Sequence, residues 1–211
     1  TTEAKKRVEK ILRDNQIDEE RDLIIGIHPG TSGIGNKPWN AEGFARLIDI
    51  LSENFKAKII LISGPTDEAT SKYIMGNTKA KPLKISPSLE DLIAITSKFK
   101  FFIGGDTGPT HIAAALGIPV VDIFPSKQKK PSRWAPWKTK HIVIKKISEC
   151  PYPCIASSCQ RDICQKEITI DEVLAAIEKL IRREGLEGNK AFFDWCRKTF
   201  NILIVEGRMD K

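Results

Sequence analysis

Long apolar runs are missing from this chain. No stretch of its 211 residues approaches the roughly 18 consecutive apolar residues of a membrane-crossing helix, so no such span is expected. The first residues, Thr1-Thr2-Glu3-Ala4-Lys5-Lys6, lack the apolar centre of a signal peptide and an initiator Met, so the chain is expected to be a processed or excised piece. Internal repeats and low-complexity tracts are also absent. No Gly-x-x-x-x-Gly-Lys-Ser/Thr spacing occurs, which excludes a P-loop nucleotidase, and no Gly-x-Gly-x-x-Gly stands in the dinucleotide-binding context. Interleaved aromatic and basic residues of a nucleic-acid module do not appear, so no nucleic-acid partner is expected.

The chain has 41% hydrophobic and 29% charged residues, enough for one α/β domain with a tail. Its net charge is +7, with local concentrations at Lys127, Lys129, Lys130 and Arg133 and at Lys138 and Lys140. A mildly cationic solvated surface is the simplest reading, with contact to phosphates or anionic lipid headgroups as the alternative.

Residues 3–16 read as a short charged helix with Val8, Ile11 and Leu12 at helical spacing, a lead-in rather than a core element. Leu23-Ile24-Ile25-Gly26-Ile27 follows, a continuous apolar run as in a strand buried on both faces. A loop and a helix from about Ala41 to Asn54 come next, with Phe44, Leu47, Ile48 and Leu51 on one side. The same unit recurs. Strands are expected at 58–62, 82–85, 100–104, 119–124 and 141–144, with helices at 67–75, 89–97 and 110–116. Ser88 reads as an N-cap, and Thr169 with Glu172 as a capping box that opens a helix ending near Arg183. Alternation of strand and helix predicts an α/β fold with a doubly wound parallel sheet, Rossmann-like. The expected organisation is a lead-in helix over 1–21, the sheet domain over 22–184 and a helical tail over 185–211 around Ala191-Phe192-Phe193-Asp194-Trp195.

Such sheets bind ligands beyond the carboxyl ends of their strands. That places the loops at 28–37, 63–68, 104–111 and 124–134 along one edge. In Gly104-Gly105-Asp106-Thr107-Gly108-Pro109-Thr110-His111, two glycines permit a tight turn and close backbone approach. The helix that follows offers free amides and a favourable dipole to an anion, a diphosphate above all. Taken alone, Asp106 is more readily a helix N-cap and His111 a surface residue; the similar loops on the same edge reverse that preference. The loop His28-Pro29-Gly30-Thr31-Ser32-Gly33 adds two hydroxyls, and Lys37 adds a mobile point charge suited to a phosphate. In Ser63-Gly64-Pro65-Thr66-Asp67-Glu68, a carboxylate after a strand can accept the two hydroxyls of a ribose. Asp67 and Glu68 are also ordinary first-turn helix residues.

Together these loops resemble the ADP-heptose:lipopolysaccharide heptosyltransferases of glycosyltransferase family 9. The resemblance rests on His28-Pro29-Gly30-Thr31-Ser32 with Lys37-Pro38-Trp39, on Ser63 to Glu68, and most specifically on Gly105 to Val120, over about residues 22–182. It implies the C-terminal half of a two-domain GT-B enzyme that binds a nucleotide-diphosphate-sugar donor, ADP-heptose by family default. Lys37 then contacts the diphosphate, with Thr31 and Ser32 beside it. Glu68 holds the nucleoside side, with Asp67 as the alternative. Asp106 lies near the sugar and diphosphate, while Thr107, Gly108 and His111 form the phosphate-binding turn. The family reaction is an inverting single displacement in lipopolysaccharide core synthesis. The resemblance implies no cofactor, and no Asp-x-Asp metal motif is present. The catalytic base and the acceptor site are expected in an N-terminal domain outside this chain. The implied partners are the donor and, through that other domain, the lipopolysaccharide core acceptor. The implied location is cytoplasmic, with peripheral contact at the inner membrane. A sugar-nucleotide epimerase half and a non-catalytic nucleotide-binding module remain as alternatives.

Cys150, Cys154, Cys159 and Cys164 cluster at spacings unlike the Cys-x-x-Cys pairs of zinc ribbons. Reduced thiols, a disulfide pair and a structural metal site all fit. Cys196 lies apart, as a buried thiol would. Trp134 and Trp137 either stack on the donor base or pack a loop, and packing is the expectation.

Overall fold

A computed structural model describes residues 1–30, 38–124, 130–145, 152 and 163–183. The elements in chain order are α1 (Thr2–Asp14), β1 (Ile24–His28), α2 (Ala41–Phe55), β2 (Lys58–Ile62), α3 (Glu68–Asn77), β3 (Leu83–Ile85), α4 (Leu89–Thr96), β4 (Phe101–Gly104), α5 (Gly108–Ala115), β5 (Val120–Phe124), α6 (Pro131–Trp134), β6 (His141–Lys145), α7 (Ile163–Lys166) and α8 (Ile170–Arg183). All six strands are parallel, in the order β3-β2-β1-β4-β5-β6. The chain therefore starts at the centre, winds outward to β3, then crosses back to β4 and winds the other way. The reversal between β1 and β4 is the switch point at which open parallel sheets leave a crevice.

The central strands are apolar because both of their faces are covered. Every residue of β1 is buried. Ile25 and Ile27 point into a core layer with Phe44, Leu47, Ile48 and Leu51 of α2 and Leu174, Ile177, Leu180 and Ile181 of α8. Ile24 points the other way, into a layer with Phe102, Ala94 and Ile95 of α4, and Ala113 of α5. This is the period-two alternation of an extended strand. The side chain of Phe44 is fully buried, and truncating it to Ala is expected to cost about 3–5 kcal/mol.

α1 corrects the expectation of a lead-in outside the core. Ala4, Val8 and Leu12 form a stripe that is at most 3% exposed and belongs to the second core layer. Arg7 also pairs with Asp91 of α4 at 2.7 Å. The stripe is only one residue wide per turn, and Ala4 carries little hydropathy, so sequence periodicity understates it.

The caps explain where the helices begin. Asn40 accepts from the Gly43 amide at 2.6 Å, and Ser88 from the Asp91 amide at 3.2 Å. Thr169 and Glu172 bond reciprocally, as in a capping box. Trp39 joins the start of α2 to the start of α8 by donating its indole N–H to the Ile168 carbonyl at 2.8 Å. Gly43 is required beneath that ring, because a Cβ there would stand 2.6 Å from it.

The 141–144 run is a strand and completes the parallel edge. The short helices α6 and α7 were not anticipated. The proposed tail over 185–211, with Cys196, lies outside the described residues. Among the described residues, no helix is long and apolar enough to cross a membrane.

Candidate functional site

The loops at the carboxyl ends of β1, β2 and β4 converge at the switch point. Their backbones pack so closely that glycine is needed. A Cβ at Gly30 would lie 2.5 Å from the Asp67 carboxylate, and one at Gly104 would meet the His28 carbonyl at 3.2 Å. The glycines therefore let the end of β1 lie against the β2–α3 loop on one side and β4 on the other.

Underneath is a buried polar cluster. His28, the last residue of β1, is 4% exposed. Its Nε2 lies 3.0 Å from Asp67 Oδ2, and its Nδ1 lies 3.1 Å from Thr107 Oγ1. Thr107 Oγ1 in turn contacts Thr110 Oγ1 at 3.2 Å, and Thr110 donates to the Gly105 carbonyl at 2.5 Å. Asp67 also accepts from the Gly64 amide and the Thr66 hydroxyl, each at 3.2 Å. The hydrogen bond from His28 is the main cause that holds the Asp67 carboxyl below the usual carboxylate range, against the upward push of burial.

Thr107 is the N-cap residue of α5, with φ −142° and ψ 165°, yet its hydroxyl makes no capping bond to the helix. That hydroxyl is turned inward to His28 and Thr110 instead. It thus does not occupy the first-turn amides, the groups through which a helix start attracts an anion. Asp106 and His111 flank the turn, with Asp106 Oδ1 at 3.2 Å from His111 Nε2. The Asp106 side chain is 7% exposed and that of His111 is 41% exposed. Gly108 faces open space.

The two neighbouring carboxylates of the β2–α3 loop take opposite directions. Asp67 faces inward to His28. Glu68 faces solvent, where Lys84 of β3 bonds both of its oxygens at 2.6 and 2.7 Å and lowers its pKa. Of the residues expected from sequence, Asp106, Thr107, Gly108 and His111 gather in one turn, with Glu68 at the neighbouring loop across β1. Thr31, Ser32 and Lys37 lie outside the described residues. The sequence by itself places His28 only at the start of a loop. The signal that could have found it is a lone histidine closing an otherwise apolar buried strand at the switch point.

Trp137 corrects the packing expectation. It is 75% exposed, with the Lys138 ammonium 4.3 Å from its ring centre, and Trp134 is 49% exposed. Of the cysteine cluster, only Cys164 is described, half-buried in α7, while Cys150, Cys154 and Cys159 lie outside the described residues. Among the described residues, no group of three or more His, Cys, Asp or Glu side chains is placed to hold a metal ion.

The family described as glycosyltransferase family 9 (heptosyltransferase) matches residues 3–164. Lipooligosaccharide heptosyltransferase 2 of Campylobacter jejuni is 27% identical over 165 residues, covering 74% of this chain and 51% of that protein. The crystal structure of a family 9 glycosyl transferase from Veillonella parvula superposes with a TM-score of 0.72 at 21% identity, covering 86% of this chain and 52% of the other. The ADP-heptose lps heptosyltransferase II of E. coli gives 0.67 at 22% identity, covering 88% and 53%. The chain spans about half the length of the curated relatives it matches. With the family matched over most of its length and the sheet order and glycine-lined turn both in place, this chain belongs to glycosyltransferase family 9, the heptosyltransferases.

Proposed function

We propose that this chain is the donor-binding domain of an inverting heptosyltransferase in lipopolysaccharide core synthesis, and that it holds a nucleotide-diphosphate-sugar, ADP-heptose by preference, at the β1–β4 switch point. The observation that carries this reading is the start of α5. Its cap hydroxyl is diverted inward, His111 is accessible, and Gly108 leaves room for a close approach. A relative of the same fold is an ADP-heptose heptosyltransferase by name.

In this reading the diphosphate sits on the α5 amides and is contacted by Lys37, Thr31 and Ser32. Glu68 exchanges its bond with Lys84 for the ribose hydroxyls. An acceptor hydroxyl displaces the nucleoside diphosphate at the anomeric carbon, which inverts. Negative charge develops on the departing diphosphate, so donors aimed at that charge lower the barrier. Lys37, the α5 amides and His111 are those donors. Asp106 orients His111 and lies beside the sugar. None of these residues is assigned as the base that deprotonates the acceptor; that role is proposed for the other half of the enzyme. The lipopolysaccharide acceptor and any contact with the membrane surface are likewise proposed to come through that half.

Thermal unfolding with added nucleotide tests the assignment. ADP at about 100 times its Kd stabilises by about 2.7 kcal/mol, a rise of about 5–10 °C for a chain of this size. Lys37→Ala and Asp106→Ala are expected to abolish the rise. If ADP, UDP and GDP all leave the midpoint where it was, the donor-site reading fails.

A further inference from the structure

The edge of the sheet opposite the donor loops carries a cavity of about 480 Å³ that is bordered by Lys58 and Lys81. Two of its walls use the same tripeptide. Lys56-Ala57-Lys58 leads from α2 into β2, and Lys79-Ala80-Lys81 leads from α3 toward β3. Because β2 and β3 pair in parallel, the two tripeptides enter the sheet side by side. Asp49 of α2 fixes the second wall, since its carboxylate accepts from the Lys79 and Ala80 amides at 2.8 and 2.9 Å. The small alanines leave room between the walls. In Lys98-Phe99-Lys100, which leads into β4, the middle residue is instead a phenylalanine packed into the core.

The lining is divided in character. Ile17, Ala57, Ile59 and Leu83 make it apolar on one part, while Asn15 and Ser52 add polar groups. Lys58 is half-buried and Lys81 exposed. Lys84 and Lys98 are paired with Glu68 and Glu19, but among the described residues no carboxylate pairs with Lys58 or Lys81. Two like charges bordering one cavity repel each other, and an anion between them relieves that repulsion. The volume lies within the range of small-molecule sites.

We infer that this cavity is a second binding site, for a small amphiphilic anion whose phosphate or carboxylate is held by Lys58 and Lys81 and whose apolar body covers Ile59 and Leu83. The inference does not rest on the donor reading. β2 is five residues long, so the cavity and the donor loops lie at opposite ends of it, roughly 15 Å apart.

The test is NMR of the ¹⁵N-labelled full chain, titrated in turn with hexyl phosphate, hexanoate and inorganic phosphate. Hexyl phosphate is expected to shift the Ala57, Ile59, Ala80 and Leu83 amides with a Kd of about 1 mM, ordinary for a ligand of this size. Inorganic phosphate, which has no apolar body, is expected to bind at least about tenfold more weakly. Shifts of those amides by hexanoate with a similar Kd would identify a carboxylate ligand, and a much weaker response a phosphate ligand. Lys58→Ala with Lys81→Ala is expected to weaken binding about tenfold or more. Ala80→Leu, which fills the cavity and leaves its charge alone, is expected to abolish it. Three results would overturn the inference: no shift of these amides at about ten times the expected Kd, shifts confined to the turn from Gly105 to His111, or an affinity unchanged in the double lysine variant.

Discussion

Two histidine–aspartate pairs stand within one crevice, and they differ in surroundings rather than in chemistry. His28 and Asp67 meet at 3.0 Å with side chains 5% and 9% exposed. His111 and Asp106 meet at 3.2 Å, but the His111 side chain is 41% exposed. The first pair joins the end of β1 to the β2–α3 loop, 39 residues away in sequence. The second is local to one turn. A buried pair of this kind holds structure together, because removing one partner strands a polar group where water cannot reach it. A pair with one partner in solvent gains little stability from its attraction, and that partner remains available to a ligand.

The largest effect should follow from breaking the buried pair. His28→Ala or Asp67→Ala is expected to cost about 3–5 kcal/mol, read as a lowered denaturant midpoint, because each leaves its partner buried and unpaired. A loss below about 1 kcal/mol would mean that water enters the cluster and would remove the contrast between the pairs.

Acid unfolding separates the two pairs next. Asp67 is held below its ordinary value of 3.8 chiefly by the His28 hydrogen bond. A carboxylate with a lowered folded pKa contributes stability that is complete above its unfolded value. That contribution is lost as pH falls below it toward the folded value. Unfolding curves from neutral pH to about pH 3 should therefore steepen on the acid side in the unmutated chain and flatten in Asp67→Asn. An identical acid limb in both proteins would contradict the shift.

The outer pair should show the opposite balance. His111→Ala is expected to change stability by less than about 1 kcal/mol, yet to weaken ADP binding about tenfold or more through loss of a hydrogen bond to a charged oxygen. Calorimetric titration checks this, and an unaltered Kd would remove His111 from the site. The smallest effect is expected from Glu68→Gln. Its exposed bond to Lys84 should be lost without a measurable change in melting temperature, while discrimination between ADP and a nucleotide lacking the ribose 2′-hydroxyl is reduced.

Much of the fold could be read before any coordinates because its signals are local. The run Leu23 to Ile27, the caps at Ser88 and Thr169, and the glycines around Asp106 each announce an element within a few residues, and each element was found there. The turn around Asp106 was legible for the same reason. α1 was less so, since a stripe of Ala4, Val8 and Leu12 is informative only once α4 is known to lie across it. The exposure of Trp137 has no local signal, because an aromatic side chain packs or faces solvent according to neighbours distant in sequence.

By itself the sequence determined a parallel α/β sheet, the order of its elements along the chain and the glycine-bearing turn around Asp106. Hydrophobic period and cap chemistry are properties of neighbouring residues. Only the tertiary structure decided which of Asp67 and Glu68 turns inward, that His28 is a structural hub, and that Thr107 turns its hydroxyl to His28 rather than to the amides of the helix it begins. Those choices depend on partners 39 and 79 residues away, the first brought within hydrogen-bond distance by the pairing of β1 with β2 and the second by the crossing from β3 back to β4. No pattern of neighbouring residues encodes such a meeting.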